Sequence, residues 1–230
     1  MGRLLLWDID GTLVRAGGVG SAAITEAALR VAGRELTGET VVMHGKTDPQ
    51  IIAELFRAAE VADDDIPTLV PRAVAECERL LAAAEAELRE QGEVVEGVVD
   101  VLARCAEVPG VRQTLVTGNL AANAAVKLAA FDLAGFFDAE VGAYGSDHPD
   151  RNELVPIALE RVERLRGERH DPRDVWVIGD TQGDLACARA AGVRCLLVAT
   201  GAIPLDELGG ADVTLPDLTR TDEVVELLTG

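Results

Sequence analysis

A chain of 230 residues is long enough to bury a full core, either as one large domain or as a core carrying a small insert. Forty acidic against 21 basic residues leave a formal net charge of −19, which argues against nucleic acid or an anionic membrane surface as partner, since both need a basic footprint. The start, Met1-Gly2-Arg3, has too little basic charge and too short an apolar run for a secretory signal, and no later stretch is apolar enough to span a bilayer, so a soluble, cytoplasmic protein is expected.

Taken in chain order, Leu4-Leu5-Leu6-Trp7 reads as a strand buried on both faces, and Asp8-Ile9-Asp10-Gly11-Thr12 follows where it ends. Gly17-Gly18-Val19-Gly20 makes a flexible exit, and Ser21 caps a helix through Val31 that stops at Gly33. His44-Gly45-Lys46-Thr47 is a loop, and Asp48-Pro49 reads as an N-cap with proline in the first helical position, opening a helix to about Ala59. A long alanine- and glutamate-rich helix is predicted from about Thr68 to Glu90. Residues 15–93 thus read as helices with almost no strand pattern.

From Val94 onward strands and helices alternate. Strands are predicted at Val111 to Thr117, near Ala139 to Ala143, at Val175 to Asp180, at Arg194 to Ala199 and near Ala211 to Thr214. Helices are predicted near Gly97 to Glu107, from Asn119 to about Ala130, from Asn152 to Arg166, from Thr181 to Ala191 and at the end. Such alternation predicts an α/β fold with a doubly wound parallel sheet. The core is expected over residues 1–14 and 94–230, with residues 15–93 as a helical insert lying over the carboxyl edge of the sheet.

Three predicted strands end in small polar or acidic residues: Asp8 and Asp10, Thr117 with Asn119, and Asp180 with Asp184. In a doubly wound sheet these ends share one edge, the place where such sheets bind ligands. Asp8 and Asp10, two residues apart, point to one side of an extended backbone, where like charges need a cation between them. Asp8, Asp10 and Asp180 offer hard oxygen ligands for Mg²⁺. Beside a bound phosphate, one carboxylate can attack phosphorus, a second can pass a proton to the leaving alcohol, and Thr117 with the N–H groups after it suits the phosphoryl oxygens.

Cys77, Cys105, Cys187 and Cys195 stand singly and read as reduced small hydrophobes. Trp7 and Trp176 read as core. Only two basic residues are lysines, a scarcity that reads as compositional bias. Lys127, in a predicted amphipathic helix, reads as a surface charge. Lys46 is either an exposed loop lysine or a substrate contact made when the insert closes, and His44 reads as structural or solvent-facing.

These motifs together resemble the haloacid dehalogenase superfamily of hydrolases. Asp8-Ile9-Asp10-Gly11-Thr12 matches its first motif, Thr117-Gly118-Asn119 its second and Gly179-Asp180-Thr181-Gln182-Gly183-Asp184 its fourth. The helical insert is similar to the small cap of the phosphoglycolate phosphatase and β-phosphoglucomutase group. The resemblance implies that Asp8 is the nucleophile and Asp10 the general acid/base. It implies Mg²⁺ held by the Asp8 carboxylate, the Asp10 backbone carbonyl and Asp180 with Asp184 in support. Thr12, Gly118, Asn119 and Lys46 are expected at the substrate.

The third motif departs from the family's pattern. Its usual lysine is missing from His148-Pro149-Asp150-Arg151-Asn152, and Arg151 is assigned as the cation. The expected activity is Mg²⁺-dependent hydrolysis of a small phosphorylated metabolite. The alternatives are a phosphosugar mutase of the same group and a non-catalytic acidic binding protein that keeps the fold. A dehalogenase is disfavoured by the second aspartate, Asp10.

Overall fold

Leu4, Leu5, Leu6 and Trp7 are fully buried and belong to strand β1 (Arg3–Trp7), which lies inside the main sheet with neighbours on both sides. Their side chains alternate between two separate cores, Leu5 and Trp7 in one, Leu4 and Leu6 in the other, as the two-residue period of a strand requires. A strand apolar on both faces needs cover on both sides, and the order of elements supplies it. The computed structural model describes residues 2–35 and 41–230; Met1, part of the amino-terminal stretch read above, and residues 36–40 lie outside them.

After β1 the chain passes through β2 (Val14–Arg15) into helices α1 (Val19–Ala32), α2 (Asp48–Ala58), α3 (Ile66–Ala83) and α4 (Glu85–Gln91). It returns through β3 (Glu93–Val94), which pairs antiparallel with β2. Then come α5 (Val98–Glu107), β4 (Val111–Thr117), α6 (Ala121–Ala130), β5 (Ala143–Tyr144), α7 (Leu154–Arg166) and β6 (Val175–Gly179). The chain ends with α8 (Gln182–Ala191), β7 (Arg194–Val198), β8 (Val213–Leu215) and α9 (Thr221–Thr229).

The main sheet runs β5-β4-β1-β6-β7-β8, with every pairing parallel. On one face α5, α6 and α9 bury Val101, Leu128 and Val225 with Leu5 and Trp7. On the other, α7 and α8 bury Val155, Val162 and Cys187 with Leu4 and Leu6. This is the expected doubly wound α/β core.

The helices α1 to α4 close around a third core that includes Ile24, Ile52, Phe56, Cys77 and Leu81, and it reaches Leu120 and Ala130 at the two ends of α6. That shared packing seats the helical layer over the carboxyl end of β4. No described helix is long and apolar enough to cross a membrane, and all four cysteines are free and buried.

Several local expectations shift. The helix expected to be capped by Ser21 is capped three residues earlier, because Gly18, at φ 85°, turns the chain at the cap and Ser21 bonds back to its carbonyl from inside the first turn. The single helix expected from Thr68 to Glu90 is two, broken at Ala84. The stretch from Ala139 is a tight 3-10 turn, leaving only Ala143 and Tyr144 to pair with β4.

Leu6 is fully buried in the core beneath α7 and α8. Leu6→Ala is expected to lower unfolding stability by about 2–5 kcal/mol, read from urea denaturation curves of the two proteins.

Candidate active site

Strands β4, β1 and β6 are neighbours, and their registers place Trp7 opposite both Leu115 and Ile178. One residue further along β1 and two further along β4 and β6, the chain ends deliver Asp8, Thr117 and Asp180 to one edge. Asp8, Asp180 and Asp184 are all buried, and each places a carboxylate oxygen within 4.8 Å of the others. The convergence inferred from the motifs is therefore present.

Glycine makes the cluster sterically feasible. Gly11, at φ 82°, turns the chain just after Asp10, and a Cβ there would collide with the Asp180 carboxylate. A Cβ at Gly201 would collide with the same carboxylate oxygen, and a Cβ at Gly179 would overlap Asp184. Asp184 also closes a capping box on α8: its Oδ2 accepts from the Thr181 amide at 3.0 Å and the Thr181 hydroxyl at 2.6 Å.

Arg151 is buried among these acids. Its Nη2 lies 2.5 Å from Asp184 Oδ1 and 3.1 Å from Asp8 Oδ1. It is placed by a turn whose first residue, Asp150, caps the amide of Asn152. The arginine assigned from sequence to the missing third-motif lysine thus stands beside Asp8. Burial alone would weaken its charge, but Asp184 and Asp8 outweigh that and raise its pKa well above the ordinary value.

Burial also pushes the Asp8 carboxyl up to about 6, with Arg151 opposing and Asp184 and Asp10 adding to the push. For Asp180, burial first and then Asp184 and Asp8 raise the carboxyl to about 8. These acids hold protons well above the ordinary range because burial disfavours their charged forms and neighbouring carboxylates repel them.

Beyond the carboxyl edge lies a cavity of about 290 Å³ lined by Asp8, Asp10, Gly118, Asn119, Arg151 and Asp180 from the core and by Gly20, Ile24, His44 and Lys46 from the helical layer. The layer is fastened there by three hydrogen bonds. The Asp48 amide donates to Gly118 O at 2.8 Å, the Thr47 hydroxyl donates to Pro149 O at 2.6 Å, and the Leu120 amide donates to Asp48 Oδ2 at 2.9 Å. Gly118 must be glycine for this, since a Cβ would overlap the Lys46 carbonyl. Lys46 lines the cavity while paired with Glu54 at 2.5 Å, and the exposed His44 also lines it.

Five side chains lie elsewhere than expected. Lys127 is not a surface charge: only 4% exposed, it places Nζ 2.5 Å from Asp10 Oδ2 and 2.6 Å from Asn119 Oδ1. A helical side chain leans toward its own amino terminus, and Lys127 lies two turns beyond Asn119, so its stem carries the amine back to the sheet edge. Asp48 is not the cap of α2; Thr47 is, and the Asp48 carboxylate is buried against Leu120, with burial raising its pKa to about 6 against the attraction of Lys127.

Thr12, expected at the substrate, is fully buried and donates its hydroxyl to Asp180 Oδ1 at 3.3 Å. Thr117 is buried as well, bonded to Asp8 and accepting from Asn119, so it orients the acid instead of lining the cavity. Asp10 keeps its side chain outside the three-acid cluster, on Lys127 and Asn119.

The family model for the haloacid dehalogenase-like hydrolases matches residues 5–189, a span that holds every residue named in the cluster. The chain belongs to that family. A second model, HAD-hydrolase-like, matches residues 152–227.

Phosphoglycolate phosphatase 1 of Pseudomonas aeruginosa is 29% identical over 200 residues, 86% of this chain and 70% of the relative. A phosphoglycolate phosphatase of Pseudomonas putida is 29% identical over 196 residues, 84% of this chain and 68% of the relative. The fold is also that of CbbY from Rhodobacter sphaeroides, solved with phosphate, at TM-score 0.68, 20% identity and 95% and 96% coverage of the two chains. A hydrolase from Pseudomonas syringae superposes at TM-score 0.69 with 18% identity over the full length of both. This HAD-like hydrolase groups with the phosphoglycolate phosphatases, and it is a hydrolase of the phosphatase kind.

The donor set suits a divalent metal. Five carboxylates, Asp8, Asp10, Asp48, Asp180 and Asp184, gather around two buried cations, Arg151 and Lys127, and the oxygens are the hard ligands such an ion prefers. Without a metal the folded protein keeps a proton on Asp180 up to about pH 8, whereas the unfolded chain releases it near 3.8. This group's contribution to stability is therefore full below about pH 4 and lost as pH rises through about 8. In chelator, Asp180→Asn is expected to melt higher than the parent at pH 8, with the gain shrinking toward pH 4; calorimetry across that range checks it.

Proposed function

We propose that this hydrolase is a Mg²⁺-dependent phosphatase acting on a small phosphorylated metabolite, a phosphoglycolate- or sugar-phosphate-like monoester, through an aspartyl-phosphate on Asp8. Asp8 itself carries the reading. Its carboxylate is almost fully buried yet lines the cavity, bonded to Arg151 on one oxygen and steadied by Thr117. A carboxylate so restrained, facing space for a small molecule, is arranged to attack and not merely to pair.

Asp8 and Asp180 would hold the metal directly, while Asp184, whose two oxygens are already taken by Arg151 and Thr181, would hold Asp180 and Arg151 in place. Bound there, Mg²⁺ supplies positive charge to the phosphoryl oxygens.

The chain's own residues carry the remaining steps. Asp8 attacks phosphorus, and Arg151 turns its guanidinium to the phosphoryl oxygens as charge moves onto them. Asp10, lining the same cavity, protonates the leaving alcohol and then takes a proton from the water that hydrolyses the aspartyl-phosphate. The backbone amide of Gly118, just ahead of α6, suits a phosphoryl oxygen, while that of Asn119 donates to Thr117 Oγ1 at 3.3 Å.

Residues 15–93 act as a cap in this reading. The cavity they close over is small, which favours a metabolite over a protein substrate, and Lys46 faces the part of the substrate far from phosphorus. The phosphoglycolate phosphatases among the relatives support this class of substrate.

With an aryl phosphate and Mg²⁺, the protein is expected to release phosphate, and chelator or Asp8→Asn to abolish release without unfolding the chain. Acid-quenched parent should carry hydroxylamine-labile phosphate at Asp8; full turnover by Asp8→Asn would remove the assignment. Arg151→Ala is expected to lower kcat about 100-fold or more on every substrate. Lys46→Ala should instead reorder preference in a screen of phosphorylated metabolites while leaving aryl phosphate turnover within a few-fold of the parent.

A further inference from the structure

Lys127 is buried and charged, comes from a helix with no other charged residue, and has no place in the three-acid cluster. Its partners are specific. Nζ bonds Asp10 Oδ2 at 2.5 Å and Asn119 Oδ1 at 2.6 Å. Asn119 Nδ2 in turn bonds the same Asp10 Oδ2 at 2.8 Å and Thr117 Oγ1 at 2.9 Å. Lys127, Asn119 and Asp10 form a closed triangle in which both donors to Asp10 meet one oxygen.

The triangle is itself confined. Gly20 of α1 lies over the amine, where even a Cβ would come within 3.2 Å of Nζ. Asp10, in contrast, has a side chain 44% exposed and lines the cavity. Oδ2 is thus held from behind and Oδ1 is left for the reacting groups.

We propose that Lys127 is a positioning residue for Asp10. With Asn119 it grips Oδ2, fixes the plane of the carboxyl group and reserves Oδ1 as the atom through which protons pass. The inference rests on the phosphatase reading above and deepens it.

In the first half-reaction an Asp8 oxygen bonds to phosphorus and the ester P–O bond breaks. Its electron pair goes to the leaving oxygen, which takes the proton from Asp10 Oδ1, so the alcohol departs neutral. The carboxylate left behind faces the Lys127 ammonium, which stabilises that charge as it develops. In the second half a water oxygen bonds to phosphorus, its proton goes to Oδ1, the P–O bond to Asp8 breaks, and inorganic phosphate leaves.

A group that assists proton delivery matters most when the leaving group is poor. The test compares kcat/KM for a series of substituted phenyl phosphates and a simple alkyl phosphate, since kcat/KM reports attack and alcohol departure without the later hydrolysis. Lys127→Met is expected to lose about tenfold on a nitrophenyl ester and about 1,000-fold on the alkyl ester, steepening the dependence on leaving-group basicity. Lys127→Gln, which keeps a neutral donor, should fall between.

Because Lys127→Met leaves the buried Asp48 without its cation, the pair Lys127→Met with Asp48→Asn is measured as well. It should fold, as judged by its melting transition, and show the same steepening. An equal loss on every ester, or no loss, would overturn the positioning role. Failure of the parent to hydrolyse any member of the series would instead overturn the phosphatase reading, and this inference with it.

Discussion

The crowding of like charge at one sheet edge governs this structure. Three acids from the ends of two adjacent strands and the helix after one of them share a buried space less than 5 Å across, with a single guanidinium among them. An arrangement so unfavourable in isolation persists because everything around it is committed to it: glycines where a side chain would collide, threonine hydroxyls aimed at carboxylates, and a capping box that holds Asp184. The parallel sheet contributes the geometry, since only neighbouring strands running the same way bring Asp8, Thr117 and Asp180 to one edge.

The helical layer answers a second constraint. The buried carboxylates at this edge are sheltered from bulk water yet border a cavity. Here shelter comes from backbone brought close to backbone. The loop at Gly45 to Asp48 rests on Gly118 and Gly183, positions where a Cβ would overlap the opposing chain, and Thr47 and Asp48 complete the seam with hydrogen bonds to Pro149, Gly118 and Leu120. The antiparallel pairing of β2 with β3 fixes where the layer leaves and rejoins the core.

Most of the architecture was legible because its signals are local. Leu4 to Trp7 and Val175 to Ile178 are apolar runs that only a sheet covered on both faces can bury, and the acids that follow them sit at fixed offsets from the strand ends. Arg151 could be assigned by position within a motif despite its changed residue type. What escaped were contacts made across the fold. Thr12 and Thr117 turn their hydroxyls onto acids far away in sequence or on a neighbouring strand, and Asp48 reaches from the helical layer to an amide of the core. Lys127 carried one readable sign, a lone charge in an otherwise uncharged, alanine-rich helix of a strongly charged chain, but helical periodicity alone does not say which neighbour covers that face.

The two lysines make a final point about charge. A chain with 21 basic residues uses lysine only at positions 46 and 127, and both line the same cavity. Apart from the buried Arg151, arginines such as Arg79 and Arg161 pair nearer the surface, where the planar fork meets a carboxylate in two-point contacts. At −19 overall, the field of the whole protein repels an anion, so attraction for a phosphorylated molecule must be generated within a few ångströms. A compact ammonium on a flexible stem can do this without the space a guanidinium demands. Lys46 can leave Glu54 for an incoming anion, and Lys127 stays wedged between Asp10 and Asn119. The positive charge at this cavity is therefore local, set against an acidic chain.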